Sequence, residues 1–192
     1  MAVKKPDRRT TKTQNAIFTA LAELMTEKEL RHITVQDISD KADIHRVTFY
    51  KHFMDIYDVY EQLTKIILCE VGVLLTQHSK KTPATFYYDI LNYVSEHTVY
   101  FKMIFSPHNT SRLYQNILKL FIGYEGLFLS EQFGPDYPES VLTCVIRYHV
   151  NGCFAVIADW ITTDLEYPQE YIVKTLSELD KSIYAYLRSQ QT

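Results

Sequence analysis

The segment Thr34–Phe53, TVQDISDKADIHRVTFYKHF, restricts the fold more than any other part of the chain. It holds two short helical patterns with almost no room between them. Thr34 and Asp37 stand at capping-box spacing, with Asp in place of the usual Glu or Gln. They predict a helix from Val35 to about Ala42. Ala42-Asp43-Ile44 predicts a tight turn. Such a turn needs a left-handed residue, and Asp tolerates that conformation better than most residues other than Gly. A short third helix is expected over about His45 to His52. Upstream, Ala16, Ile17, Ala20, Leu21, Leu24 and Met25 recur at helical spacing between Thr11 and Lys28. Residues 29–33 break that period. A longer helix and two short ones across a tight turn make a small three-helix unit. Its third helix fits the DNA major groove, which is about 12 Å wide. Ile38, Ala42, Ile44, Val47, Phe49 and Phe53 are expected in its core. His45, Arg46, Thr48, Lys51 and His52 are left polar.

The rest of the chain repeats the helical period. Asp55 can cap a helix carrying Val59, Leu63, Ile66, Ile67, Val71 and Leu74. Further helices are expected over about 84–105, 111–133, 138–163 and 169–189. Only five Gly and six Pro occur in 192 residues, which argues for long helices and few tight turns. No strand alternation with hairpin signals is present, and no internal repeat. The expected fold is all-α. A helix-turn-helix DNA-binding domain with a basic N-terminal arm spans residues 1–54, and a larger helical regulatory and dimerisation domain spans 55–192.

Charge is unevenly placed. The formal net charge is −3, which by itself argues against nucleic-acid binding. Residues 1–53, however, hold ten Lys and Arg against seven Asp and Glu, a net of +3, and the remainder is net −6. Lys4, Lys5, Arg8, Arg9 and Lys12 stand near the N-terminus against Asp7 alone. Such an arm suits a phosphate backbone, where each neutralised phosphate releases counterions. A solubilising tail would carry the same charges. Cys69, Cys144 and Cys153 are widely spaced, with no metal-ligand pattern, and read as reduced core thiols. The N-terminus lacks the apolar core of a signal peptide. No uninterrupted apolar run approaches the roughly 18–20 residues of a membrane span. The expected location is cytoplasmic, with no membrane partner, no metal and no cofactor. Catalysis is not expected either: GxSxG, HExxH, phosphate-loop and Gly-rich dinucleotide patterns are all missing from the sequence.

Three pieces together resemble the TetR family of transcriptional regulators: Ile33-Thr34-Val35-Gln36-Asp37-Ile38-Ser39, Ala42-Asp43-Ile44, and Thr48-Phe49-Tyr50-Lys51-His52-Phe53. The resemblance covers about residues 10–60 at the motif level. It implies that Thr34 caps the second helix and bonds a DNA phosphate, with Val35 and Gln36 beside it at that helix's positive end. It implies that Arg46 and Thr48 approach base edges, that Tyr50 and His52 hold phosphates, and that Lys51 adds charge. An Arg reading G at O6 and N7 specifies a base, whereas phosphate contacts only position the protein. Packing on the fourth helix is the other reading of Tyr50. Two positions depart from the family pattern. His45 stands where a small cap such as Ser is usual and, as a poor cap, is expected to point into the DNA groove instead; Ile56 stands where many members carry a phosphate-binding Lys. The run DIYDVY after TFYKHF resembles the branch containing the dihydroxyacetone-kinase regulator.

The family resemblance implies a DNA-binding regulator, with repression as the default, that acts as a homodimer on a palindromic operator under an unknown small-molecule effector. The two reading helices would then lie about one DNA turn apart, roughly 34–36 Å. The alternative is a helix-turn-helix adaptor or coactivator controlled by a protein partner. The last two helices offer apolar faces for a four-helix interface. These are Val145, Ile146, Val150, Phe154, Ile157 and Ile161, then Ile172, Leu176, Leu179, Ile183 and Leu187, with Gly152 permitting close approach. Ordinary intrachain core would show the same pattern. The middle helices are rich in aromatics, Tyr87, Tyr100, Phe105 and Phe128 among them, which are core more often than ligand box but could form a pocket for an apolar or aromatic effector. The candidate pocket residues are Tyr88, Tyr93, Phe101, Tyr114, Phe121 and Tyr124, with His97, Arg147 and His149 as polar contacts.

Overall fold

Helices account for every regular element among the described residues, as the all-α reading of the sequence expects. A computed structural model describes residues 8–77, 82–109, 112–134, 137–164 and 166–190. The order is α1 (Arg8–Glu27), a 3-10 turn (Leu30–His32), α2 (Val35–Lys41), α3 (Arg46–Tyr50), α4 (Ile56–Gln77), α5 (Pro83–Glu96), α6 (Thr98–Phe105), α7 (Leu113–Phe133), α8 (Glu139–Thr162) and α9 (Gln169–Ser189). The expected arm residues Lys4 and Lys5 lie outside the described residues. Arg8, Arg9 and Lys12 are exposed in the first turns of α1.

Two compact units divide the chain. One runs to Ile67 and takes in Val99–Ser111; the other comprises Leu68–Thr98 and Arg112–Thr192. A boundary expected at 54/55 therefore falls inside the first unit, which includes the first half of α4 as well as α6. The first unit's core follows the α1 stripe. Ile17, Leu21 and Met25 are buried, as are Ile38, Phe49, Phe53, Val59 and Leu63. Phe53 joins the stripe edge-on to Phe18, with centroids 5.4 Å apart. Each such side chain contributes about 1.5–3 kcal/mol by leaving water.

The second unit pairs α5 with α9 and α7 with α8. Two helices, α5 in this unit and α6 in the first, replace the single helix expected over 84–105. The helix ends at His97 (φ −117, ψ 30), whose N–H bonds Tyr93 O, and the Thr98 hydroxyl takes the Ser95 carbonyl at 2.7 Å. Neither Gly nor Pro marks this break; a Thr hydroxyl competing for a helix carbonyl makes it. Helix α8 is the one described helix long and apolar enough to cross a membrane by length and composition, with mean hydropathy 1.5 over an 18-residue window, a test that the core helix of a soluble protein also passes. No continuous apolar run announces it because Arg147, His149, Asn151 and Asp159 interrupt the sequence.

Candidate functional site

The helix-turn-helix is built by caps at each joint. The Thr34 hydroxyl accepts from the Asp37 N–H at 3.1 Å, and the Asp37 carboxylate accepts from the Thr34 N–H at 2.8 Å. The box is thus complete with Asp in the Glu position. Lys28 reaches the same carboxylate at 2.9 Å. That lysine hydrogen bond, followed by the Thr34 N–H, holds the Asp37 carboxyl below its usual range. Lys41 bonds Glu23 at 3.2 Å and ties α2 to α1. The turn is made by Asp43 at φ 51, and the Ile44 N–H closes on Ser39 O at 3.0 Å. Asp58 gives α4 a matching start: its N–H donates to Asp55 at 2.8 Å, and its carboxylate accepts the Met54 N–H at 2.9 Å.

These joints present α3 outward. His45 is its N-cap in extended backbone and makes no side-chain cap bond. His45, Arg46, Tyr50 and Lys51 are exposed, and Thr48 and His52 are half-buried. On α2, Thr34 and Gln36 are exposed and Val35 is half-buried. The Gln36 amide donates to Asp40 at 2.6 Å, one turn along. Ile56 is buried and faces the core, where a phosphate-binding Lys could not.

Cys69 and Cys144, expected in the core, are exposed, and two core expectations in the helix-turn-helix need correction. Val47 is 69% exposed and lies on the same outward surface as Arg46 and Tyr50. A helix of five residues buries one stripe, and Phe49 occupies it. Ala42 and Ile44 are only half-buried, because the turn they flank runs along the surface. Apolar character alone placed Val47 inside, so its presence on the outward surface of α3 went unseen.

In the second unit, α5, α7, α8 and α9 enclose a cavity of about 80 Å³. Phe86, Phe121, Phe128, Phe154 and Tyr124 supply much of its wall. One end is charged. His149 Nδ1 lies 2.5 Å from Glu125 Oε1, and Nε2 lies 2.7 Å from Asp180 Oδ1. The Tyr87 hydroxyl donates to the same Asp180 oxygen at 2.8 Å and approaches the Cys153 sulfur at 3.5 Å. Glu125 and Asp180 are only 9% and 5% exposed. Burial alone would lower the His149 pKa. The hydrogen bonds to Asp180, Cys153 and Glu125 outweigh it and push His149 up to about 12. The ring is therefore an imidazolium donating from both nitrogens. Burial raises the Glu125 carboxyl, and His149 offsets part of that. Burial also raises the Tyr87 phenol, so it stays protonated and can donate.

Of the nine candidate pocket residues, the structure brings Phe121, Tyr124 and His149 to this cavity. The other six lie off its wall. Tyr88 and Arg147 are exposed, on the outer faces of α5 and α8. Tyr93 donates to Glu70 at 2.7 Å and lies tilted against His97, with centroids 4.6 Å apart. Phe101 belongs to the first unit, where it is buried near Phe105. Tyr114 stands behind Phe154, edge-on at 6.0 Å. Glu125 and Asp180 were missed, and Tyr87 stood among the middle-helix aromatics without being singled out. A signal existed for Asp180, which follows Leu176 by four residues and precedes Leu187 by seven on the inward stripe of α9.

Outside the cavity, α8 and α9 form an open groove of about 640 Å³. Most of the expected interface residues turn inward instead. Ile146, Val150, Phe154, Ile157, Ile161, Ile172, Leu176 and Leu187 are buried within the unit, because a 3.6-residue stripe can face only one side. The groove is lined by Val145, Tyr148, Gly152, Val156, Leu179 and Ile183, among others. Tyr148 is 77% exposed and Leu179 is 52% exposed.

Residues 81–181 match a family model of the TetR type described as the transcriptional regulator C-terminal region. The chain is 25% identical over 108 residues to an uncharacterised helix-turn-helix transcriptional regulator, YxbF, of Bacillus subtilis (strain 168). That alignment covers 52% of this chain and 28% of the relative's length. A tetR-family transcriptional regulator from Streptomyces coelicolor shares the fold with a TM-score of 0.67 and 13% identity, over 99% of this chain and 85% of the other. The dihydroxyacetone kinase operon activator DhaS shares it at 0.54 and 20% identity, over 92% and 96%. Both structural likenesses speak to the fold alone.

Proposed function

The chain belongs to the TetR family of transcriptional regulators, DNA-binding proteins and not enzymes; from that premise we propose that it is a ligand-responsive repressor acting as a homodimer on a palindromic operator. The observation that carries the DNA-reading part is the outward face of α3. Arg46, Val47, Tyr50 and Lys51 stand exposed there beside the capped Thr34. Arg46 is the base-reading residue, and Val47 offers a methyl surface to thymine. Thr34, Tyr50, Lys51 and His52 hold phosphates and set register. The groove on α8 and α9, with Tyr148 and Leu179 exposed, is the face that joins two copies. The cavity is the effector site.

The test is binding of the purified protein to DNA from upstream of its own gene, titrated against salt. A sequence preference and a steep salt slope are expected. Arg46→Ala should cost roughly 1–3 kcal/mol on the specific site and little on random DNA. Equal losses on both would make Arg46 a phosphate contact. A protein with neither preference nor slope would be an adaptor instead of a repressor.

A further inference from the structure

The charged end of the cavity does not balance. One imidazolium faces two carboxylates, and the fourth member of the cluster, Tyr87, brings a neutral phenol. Among the described residues that line the cavity there is no Lys or Arg. Both carboxyl groups are more than nine-tenths buried, so water does little to stabilise their charge, and burial keeps the Glu125 carboxyl raised even with His149 beside it. The rest of the wall is aromatic and aliphatic. Ring faces attract a cation and also accept an apolar body. The space is about 80 Å³, which suits a molecule of small size.

We propose that the cavity binds a small apolar molecule bearing one cationic amine, its ammonium placed against Glu125 and Asp180 and its body lying on Phe86, Phe121 and Phe154. The amine completes the charge balance that His149 leaves open. An anion would meet two carboxylates across a buried space, and a neutral alcohol would leave their charge unanswered. The cavity wall on α5, α7, α8 and α9 is where such a molecule would act. This inference rests on the reading of the cavity as an effector site.

Calorimetric titration of the full-length protein with n-butylamine, benzylamine and phenethylamine, beside benzyl alcohol and benzoate, tests it. At least one amine should bind, and benzylamine should exceed benzyl alcohol by about 10-fold or more, with benzoate not binding. Glu125→Gln or Asp180→Asn should reduce the amine preference to less than about 3-fold while circular dichroism stays unchanged. Should either variant fail to fold, the wild-type ranking of the probes decides alone. Binding of benzyl alcohol or benzoate as tight as benzylamine overturns the proposal, as does silence from all three amines at millimolar concentration. Operator binding is measured on the same preparation without probe. DNA binding without amine binding then sinks only the ligand class, and amine binding without DNA binding sinks only the repressor reading.

Discussion

Replacing His149 should change how stability depends on pH. In the folded protein the ring keeps its proton up to about pH 12, against 6.5 for an unperturbed His. The folded pKa is raised, so the contribution is fully present below 6.5 and is lost as pH rises toward 12. While the folded state holds one more proton than the unfolded state, stability falls by about 1.4 kcal/mol per pH unit. Between pH 7.5 and 9.5 that amounts to about 3 kcal/mol, or roughly 1.4 M in urea midpoint for a typical m-value near 2 kcal/mol/M. Other shifted groups stay outside this window or add to it with the same sign. Asp37 and Asp58 are lowered and act on the acid side, whereas the Tyr87 and Tyr184 phenols are raised and act above pH 10. Glu125 is raised, so its contribution too declines with rising pH. The assay is urea unfolding at fixed protein concentration, since any association of copies would shift the midpoint. His149→Gln alone should lose about 3–5 kcal/mol at pH 7, because two buried carboxylates then face each other unpaired. The double variant His149→Gln, Glu125→Gln removes one of them and should fold with a flattened pH slope. Parallel slopes for wild type and double variant would refute the doubly donating imidazolium.

Two further outcomes follow from the joints of the reading unit. Thr34→Ala should cost about 1 kcal/mol of stability by removing the α2 cap, read from thermal unfolding, and should weaken DNA binding with little change in sequence preference. Asp43→Val should destabilise by about 1–2 kcal/mol, because a β-branched residue resists the left-handed backbone at φ 51. Asp43→Gly should be tolerated by the same measurement.

Much of the fold was legible because its signals are local. The Thr34 and Asp37 pair marks α2, and the structure holds both bonds of the box. Helix α9 matches its expected bounds, since Pro168 and the inward stripe both lie within a few turns. The break at His97 was hidden because a Thr hydroxyl makes it, and Thr also occurs inside helices. Val47 was misplaced because a short helix has too few residues for its buried side to be told by period. The cavity was legible only in Phe121, Tyr124 and His149. Its remaining chemistry joins residues far apart in the chain: Tyr87 meets Asp180 across 93 positions. No pattern of spacing encodes that meeting, which exists only once α5 and α9 are packed.

His149, Cys153 and Asp180 line both the inner cavity and the outer groove of α8 and α9. The partition between the two compartments is thus a single layer of side chains. With a second copy seated on the groove, a guest inside and a neighbour outside would lean on the same three residues. Their free energies would then be linked, and linkage is reciprocal. A molecule that tightens assembly must bind the assembled form more tightly by the same factor. Its apparent affinity would vary with protein concentration, so the dose needed to release DNA would depend on how much of the regulator is present.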